Sequence, residues 1–186
     1  MSPTSIPSRS LYYDGRPQKS KSSRAETFQS INPANGRPLT DITAASEADC
    51  EAALASAQKA FRSWSRTPAI ERSRILHRAV QILRERNDEL AKIETLDTGK
   101  PYSETSAVDV VTGADVLEYY ANYIGNGGLD GERIKLREGV WVNSTRESLG
   151  VCVGIGAWNY PIQMYVVRSP RSDKRRASII SELIPV

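Results

Sequence analysis

The chain has 186 residues, of which 39% are hydrophobic and 25% are charged. This composition excludes a disordered or fibrous protein and is typical of a soluble globular chain with room for a sizeable core. No window approaches the ~20 apolar residues of a membrane span, and residues 1–18 lack the apolar core of a signal peptide. Two cysteines, Cys50 and Cys152, are too few for a disulfide scaffold, which favours a cytoplasmic location.

The net charge of +3 lies in one segment of the chain. Residues 165–186 carry five Lys or Arg against two Asp or Glu, so the remainder of the chain is neutral. A nucleic-acid-binding protein is expected to carry its basic face on its folded part. The charge distribution therefore argues against a nucleic-acid partner, and residues 165–186 are interpreted as a solvated basic tail, with a localisation signal as the alternative.

The first elements of the chain are predicted to be short strands. Residues 1–22 are expected to form a flexible leader that contains one hairpin signal, the Asp14-Gly15 pair after Tyr12-Tyr13. Residues 27–31 alternate like a strand and stop at the turn signal Asn32-Pro33. Residues 39–43 are predicted to form another strand.

Four helices are predicted next. Ser46 and Asp49 have capping-box spacing and predict a helix over residues 47–64. Pro68 opens a second helix, Gly99 closes a third, and a fourth is expected over residues 105–123. The apolar positions that recur at helical spacing are Ala53, Ala57, Ala60, Phe61 and Trp64 in the first helix, Ile75, Leu76, Ala79, Val80, Ile82 and Leu83 in the second, and Val108, Val111, Ala114, Leu117 and Ala121 in the fourth.

The pattern changes from helical to extended after residue 132. Residues 133–149 read as strands, and residues 151–156 form a short apolar run typical of a buried strand. A buried strand that enters a turn is how a doubly wound α/β sheet begins. Gly154 and Gly156 suggest a dinucleotide fingerprint, but position 159 is Asn where the third glycine would stand. On its own this pair indicates only a tight turn.

The turn after this run contains the most informative residue of the chain. Gly156-Ala157-Trp158-Asn159-Tyr160-Pro161 places the Asn159 amide at the carboxyl end of the predicted strand, where α/β folds bind ligands. An amide offers two N–H donors that do not titrate, which suits stabilisation of an oxyanion. The alternative role for a single Asn at this position is a turn cap.

At this motif the sequence resembles the aldehyde dehydrogenase superfamily, whose members carry Trp-Asn-Phe/Tyr-Pro at this point. The resemblance covers about residues 11–163 and includes the run Glu94-Thr95-Leu96-Asp97-Thr98-Gly99-Lys100. Residues 103–105, 109–110 and 113–121 are most similar to the betaine aldehyde dehydrogenase branch. Other matching segments are residues 28–36, Trp64, Glu71-Arg72 and Ile75-Leu76.

The resemblance implies a fold and a division of the chain. The fold would be the amino-terminal portion of an incomplete α/β aldehyde dehydrogenase fold. Residues 23–132 would be the first part of the cofactor-binding domain, and residues 133–149 an oligomerisation hairpin. Residues 150–164 would hold the first strand of the dinucleotide-binding sheet and the Trp-Asn-Tyr-Pro turn. The family forms homo-oligomers, which this chain is expected to form poorly.

The resemblance also implies roles for particular residues. Asn159 would be the oxyanion-hole amide, and Tyr160 would form one wall of an aromatic box for a trimethylammonium group. The residues that would line NAD or NADP are Ile155, Gly156, Ala157, Trp158 and Asn159. Those that match a monovalent-cation site, for potassium, are Ser30, Ile31 and Asp97.

The sequence departs from the family pattern near Met164, and Val167 stands where the box tryptophan would be. The family's nucleophilic cysteine, general base and cofactor-binding lysine have no counterpart. Cys50 has no base nearby in the sequence, and Cys152 is expected in the core. His77 is expected at a surface or half-buried position, and Glu94 with Asp97 is read as a solvated helix end.

Two functions remain open. The first is NAD(P)-dependent oxidation of a small aldehyde to its acid, with betaine aldehyde as the substrate that the branch resemblance implies. In that case the chain alone is expected to be inactive, because hydride transfer follows attack by an activated thiolate. The alternative is a non-catalytic product that at most associates with full-length subunits.

Overall fold

A computed structural model describes residues 6, 8 and 10–168, and the side chains of these residues up to 164. It contains three antiparallel hairpins and a set of packed helices. The strands are β1 (Leu11–Tyr13), β2 (Arg16–Gln18), β3 (Thr27–Ile31), β4 (Pro38–Thr43), β5 (Arg133–Arg137) and β6 (Val140–Asn143). The helices are α1 (Glu47–Trp64), α2 (Ala69–Glu85), α3 (Asn87–Thr98), α4 (Tyr102–Glu104), a π-helical turn (Thr105–Asp109), α5 (Val110–Gly125) and α6 (Pro161–Arg168).

The first hairpin forms where the sequence predicts it. Asp14 and Gly15 have φ values of 56° and 70°, as the two central positions of a type I′ turn require. Downstream, the Ser20 hydroxyl donates to Asp49 Oδ2 at 2.6 Å and the Lys21 N–H donates to Asp49 Oδ1 at 2.7 Å. Residues 11–18 therefore form a hairpin, and Ser20 and Lys21 make a tertiary contact, whereas the sequence predicts a flexible leader over residues 1–22.

Helix α1, the start of α2 and the end of α3 lie where the sequence predicts them. The Ser46 side chain accepts from the Asp49 N–H, and the Asp49 side chain accepts in turn from the Ser46 N–H. This reciprocal capping box starts α1 at Glu47. At the end of α3, Gly99 has φ 78°, and a Cβ at this position would lie 2.8 Å from the Pro33 Cγ. Glycine is therefore required there both by the backbone and by the β3–β4 turn packed against it.

The core lies mainly between α2 and α5. Its fully buried members are Leu76, Val80, Ala114, Leu117, Ala121 and Ile124, and Ile162 of α6 packs against their edge. The Ser73 hydroxyl donates to the Ala121 carbonyl at 2.8 Å inside this contact. The predicted apolar faces of α1 and α2 are buried or half-buried at every position named above.

The fourth predicted helix is interrupted by the π-helical turn, which changes the residues that form its buried face. The π-helical turn contains one more residue per turn than an α-helix, so it rotates the preceding residues relative to α5. Val108 and Val111 are 48% and 39% exposed, whereas Thr105 and Asp109 are fully buried. The prediction that Val108 points inward is wrong for this reason. The prediction for Val111 is also wrong, because Val111 lies within α5 but outside the face formed by Ala114, Leu117 and Ala121.

The predicted buried strand over residues 151–156 does not form. This segment has no regular structure, and Val153 and Ile155 are 72% and 81% exposed. A strand needs at least one hydrogen-bonded neighbour, and no described strand pairs with this segment. Cys152, expected in the core, is accordingly only half-buried.

Two further expectations concern the ends of the chain and membranes. The basic tail is described only as far as Arg168, and the predictions made for residues 169–186 lie outside the described residues. Of the helices that the structure describes, none is both long and apolar enough to cross a lipid bilayer.

Candidate active site

The candidate oxyanion residue, Asn159, lies in an exposed turn directly before α6. The residues predicted to line the cofactor, 155–158, precede it along the same open stretch, and Trp158 is 86% exposed. The structure therefore presents the Asn159 amide and these side chains to solvent on one continuous segment. An exposed amide and indole beside each other are available to bind a ligand.

Tyr160 follows Asn159, and one face of its ring contacts a basic side chain. The Lys100 ammonium lies 3.2 Å from the centroid of the Tyr160 ring. This is a close cation–π contact, and its electrostatic part is strengthened because the Lys100 side chain is only 17% exposed. One face of the Tyr160 ring thus already binds a cation from the same chain.

The residues predicted to hold a monovalent cation lie together in part. The Ser30 hydroxyl at the end of β3 donates to Asp97 Oδ1 on α3 at 2.6 Å. Ile31 follows on the strand and is exposed. A cavity of about 260 Å³ lies beside this pair and is lined largely by apolar side chains of β4, α3 and α6. Across residues 6, 8 and 10–168, no group of three or more His, Cys, Asp or Glu side chains could hold a metal ion.

A buried charged cluster beneath the Asn159 turn was not expected from the sequence. It consists of Glu94 on α3, Lys100 after α3, and Asp109 at the end of the π-helical turn. The Lys100 ammonium donates to Asp109 Oδ2 at 2.8 Å, and the negative charge of Asp109 acts on the nearby Glu94 carboxyl. Glu94 is 5% exposed, so the reading of Glu94 and Asp97 as one solvated helix end is wrong for Glu94.

The cluster reaches the turn through Glu94 as well as through Lys100. The Ile162 N–H, in the first turn of α6, donates to Glu94 Oε2 at 3.3 Å. Burial, and next the negative charge of Asp109, raise the pKa of Glu94 from 4.5 to about 7. Glu94 Oε1 and Asp109 Oδ1 accept no hydrogen bond from the described residues, and a single proton shared by the carboxyls would partner both.

One sequence signal could have identified this cluster. Glu94 follows Ala91 by three positions and Leu90 by four, so it lies on the apolar face of α3 rather than on its polar face. A carboxylate on an apolar face requires a buried partner. The partners could not be found in the same way, because the π-helical turn that directs Asp109 inward has no signature in the sequence.

Neither cysteine is placed as a nucleophile in the part of the chain that the structure describes. Cys50 is exposed on α1, and Cys152 is half-buried in the irregular segment. His77 is half-buried on α2, as predicted. No hydrogen bond between either thiol and a carboxylate or imidazole occurs among the described residues.

Comparison with known proteins agrees with this arrangement. The model of the aldehyde dehydrogenase family matches residues 19–170, beyond Met164, where we placed the end of the resemblance. A gamma-glutamyl-gamma-aminobutyraldehyde dehydrogenase from Burkholderia cenocepacia has 33% identity and a TM-score of 0.80 over 87% of this chain and 32% of its own. The aldehyde dehydrogenase KauB from Pseudomonas aeruginosa has 31% identity and a TM-score of 0.80 over 88% and 33%.

A third solved structure contains the cofactor. The indole-3-acetaldehyde dehydrogenase AldA of P. syringae, in complex with NAD+ and IAA, has 31% identity and a TM-score of 0.80 over 90% of this chain and 34% of its own. The chain thus spans about a third of the length of the solved structures that it matches. The α/β arrangement is the corresponding part of their fold, and the chain belongs to the aldehyde dehydrogenase family.

Proposed function

We propose that this chain carries the oxyanion amide and one wall of the nicotinamide site of an NAD(P)-dependent aldehyde oxidation. The observation that supports the proposal is the exposed Asn159 turn, with residues 155–158 beside it. A similar structure that contains NAD+ supports NAD as the cofactor, and NADP stays a second option. We place the reaction in the cytoplasm, in keeping with the low cysteine content.

The proposed chemistry assigns Asn159 one step. As a thiolate adds to the aldehyde carbon, negative charge develops on the carbonyl oxygen, and the Asn159 N–H groups donate to that oxygen. When bound, NAD accepts the hydride from the same carbon. The thiolate and the base that later activates water must come from residues other than Cys50 and Cys152, so the chain by itself is proposed to be inactive.

We propose betaine aldehyde as the substrate, in line with the branch to which residues 103–121 are most similar. Its trimethylammonium group requires an aromatic surface that binds a cation. Tyr160 is the aromatic side chain next to Asn159, which supports Tyr160 in this role, and Lys100 occupies one face of its ring. The other face would be the one offered to substrate.

We also propose that Ser30, Ile31 and Asp97 contribute to a potassium site. The hydroxyl–carboxylate pair of Ser30 and Asp97 supports this assignment, because oxygen atoms are the ligands that hard cations prefer. Thr40 lines the adjacent cavity, and its buried hydroxyl has no hydrogen-bond partner among the described residues. Potassium-dependent stabilisation of the chain, lost in Asp97→Asn, would test the site.

The proposed activity can be tested in a chimera. Residues 19–164 of this chain would replace the matching segment of the P. syringae enzyme, which supplies the remaining two thirds of the fold. We expect the chimera to form NADH from an aldehyde, with betaine aldehyde preferred over a neutral aldehyde of similar size. The chain alone should form none. A folded chimera without activity would contradict the proposal, as would NADH formation by the chain alone.

One observation favours the alternative, a non-catalytic chain that associates with other subunits. The β5–β6 hairpin exposes Ile134, Leu136 and Trp141, and the outer edges of its two strands pair with no other described strand. Exposed apolar edge strands favour pairing with another chain. If this is the function, full-length subunits should retain a tagged copy of this chain, and Leu136→Asp should release it without affecting the fold of the helices.

A further inference from the structure

The buried charged cluster makes contact with the Asn159 turn at two points. The Lys100 ammonium lies under the Tyr160 ring at 3.2 Å, and Glu94 Oε2 accepts from the Ile162 N–H. These contacts fall one and three residues after Asn159. Asn159 is therefore followed directly by residues 160–162, which are fixed to Glu94 of α3 and to Lys100.

The cluster is itself held by three separate elements. Glu94 projects from α3, where it is nearly fully buried, and Asp109 is fully buried at the end of the π-helical turn. Lys100 lies between them and also approaches Glu104 of α4 at 3.9 Å. Thr105 fixes the π-helical turn against α3, because its hydroxyl donates to the Ala91 carbonyl at 3.0 Å. Movement of the Asn159 turn would require its contacts with this cluster to break.

The charges that face one another in the cluster are unequal. The Lys100 ammonium pairs with the buried Asp109, the Glu104 carboxylate lies at its exposed side, and the buried Glu94 carboxyl has no ion pair of its own among the described residues. One proton on the Glu94–Asp109 pair leaves one negative charge for Lys100 to balance, which is the arrangement that burial favours. Loss of that proton adds a second buried negative charge, and this cost outweighs the stronger hydrogen bond that an ionised Glu94 accepts from the Ile162 N–H, because the pKa of Glu94 is raised and not lowered.

We propose that Glu94, Lys100 and Asp109 are positioning residues that hold residues 160–162 and thereby orient the Asn159 amide. The inference rests on the proposed function of Asn159, but the holding itself can be measured without activity. None of the three touches the reacting atoms. Their effect on the reaction would be transmitted through Tyr160 and the first turn of α6.

Amide hydrogen exchange in the 186-residue chain tests the inference. Lys100→Met keeps the length of the side chain and removes its charge, whereas Lys100→Arg keeps both the charge and a cation–π partner. We expect Lys100→Met to accelerate exchange at Ile162 about tenfold and to shift the Tyr160 ring resonances, since a partly desolvated cation–π contact is lost. Lys100→Arg should restore most of both.

The Ala57 amide in α1 is the control, because Ala57 is buried in a helix outside the core cluster against which Ile162 packs. Its exchange should not change in either variant. Acceleration of Ile162 and Ala57 together, or equal effects of Met and Arg, would overturn the inference. Unchanged Ile162 exchange in Lys100→Met would overturn it as well.

A pH series supplies a readout that simple packing would not move. If Glu94 holds the turn in its protonated state, protection of Ile162, corrected for intrinsic exchange, should fall about tenfold between pH 5 and 8. The fall should be absent in Glu94→Gln. A pH-independent protection in the native chain would overturn the role of Glu94. Inactivity of the chimera would instead contradict the proposed function and leave these exchange results unaffected.

Discussion

Replacement of Glu94 by glutamine should stabilise the chain at neutral and alkaline pH. Glutamine mimics the protonated carboxyl, because its carbonyl can accept from the Ile162 N–H and its amide can donate to Asp109. Burial and the Asp109 charge raise the pKa of Glu94 from 4.5 to about 7. At ~1.4 kcal/mol per pKa unit, ionisation of Glu94 costs the folded state at most about 3 kcal/mol.

The sign follows from the direction of the pKa shift. An acid whose pKa is higher in the folded state binds its proton more tightly there than in the unfolded chain. Its contribution to stability is complete below pH 4.5 and is lost as the pH rises through about 7. Glu94→Gln removes this loss, so the variant and the native chain should be similar at pH 5. At pH 8 they should differ by about 1–3 kcal/mol, allowing for partial solvent screening.

Urea unfolding monitored by helical circular dichroism measures this difference. The pH dependence of other groups cancels when the two proteins are compared at the same pH. Glu51→Gln on the exposed face of α1 serves as the matched control and should show no such pH-dependent gain. The reasoning would be refuted if the difference in unfolding free energy between the native chain and Glu94→Gln were the same at pH 5 and pH 8. A carboxyl resonance of Glu94 that titrates near 4.5 would refute it as well.

Three further outcomes follow from local structure. Gly99→Ala should destabilise the chain by roughly 2–4 kcal/mol, because alanine is strained in the left-handed backbone and its Cβ would contact Pro33. Gly36 has a similar φ but open space around it, so Gly36→Ala should cost only about 1 kcal/mol in the same urea unfolding experiment. Equal costs for the two variants would refute the steric argument. The Ser20 hydroxyl holds the pKa of Asp49 well below its usual range, so stability from Asp49 should be lost in strong acid, and Asp49→Asn should flatten the acid limb of a pH–stability curve. Dye binding to exposed apolar surface should be strong and should fall in Ile155→Ser, because Ile155 is 81% exposed; unchanged fluorescence would argue against that surface.

The parts of the fold that local chemistry determines could be predicted from the sequence. The Ser46–Asp49 capping box, the Asp14-Gly15 turn and the Gly99 helix end each depend on residues within a few positions of one another. Their outcomes do not require knowledge of distant parts of the chain. The bounds of α1, the start of α2 and the end of α3 were accordingly predicted correctly.

Features that depend on distant residues could not be predicted in this way. Residues 151–156 have the composition of a buried strand, but composition does not supply the neighbouring strands that such a segment must pair with. The π-helical turn changed the buried face around Val108 because one extra residue in a turn leaves no periodic signal. Both predictions failed because contacts with distant residues, and not the local sequence pattern, determine the structure of these segments.

The residues of the candidate site were likewise suggested by the sequence only in part. Asn159 was found from its position in a motif, and the Ser30–Asp97 contact was implied by family resemblance. The Glu94–Asp109 pair was missed, because only the three-dimensional packing brings α3 and the π-helical turn together. The buried charge that supports the site therefore required the structure.

The most direct test of the account is the turnover rate of the chimera with Asn159→Ala. Removal of an oxyanion donor typically lowers kcat about 10²–10³-fold, and we expect a fall of this size. Asn122→Ala, on the exposed face of α5, is the matched control and should leave kcat unchanged. A chimera in which Asn159→Ala retains full turnover would contradict the assignment of Asn159 as the oxyanion amide.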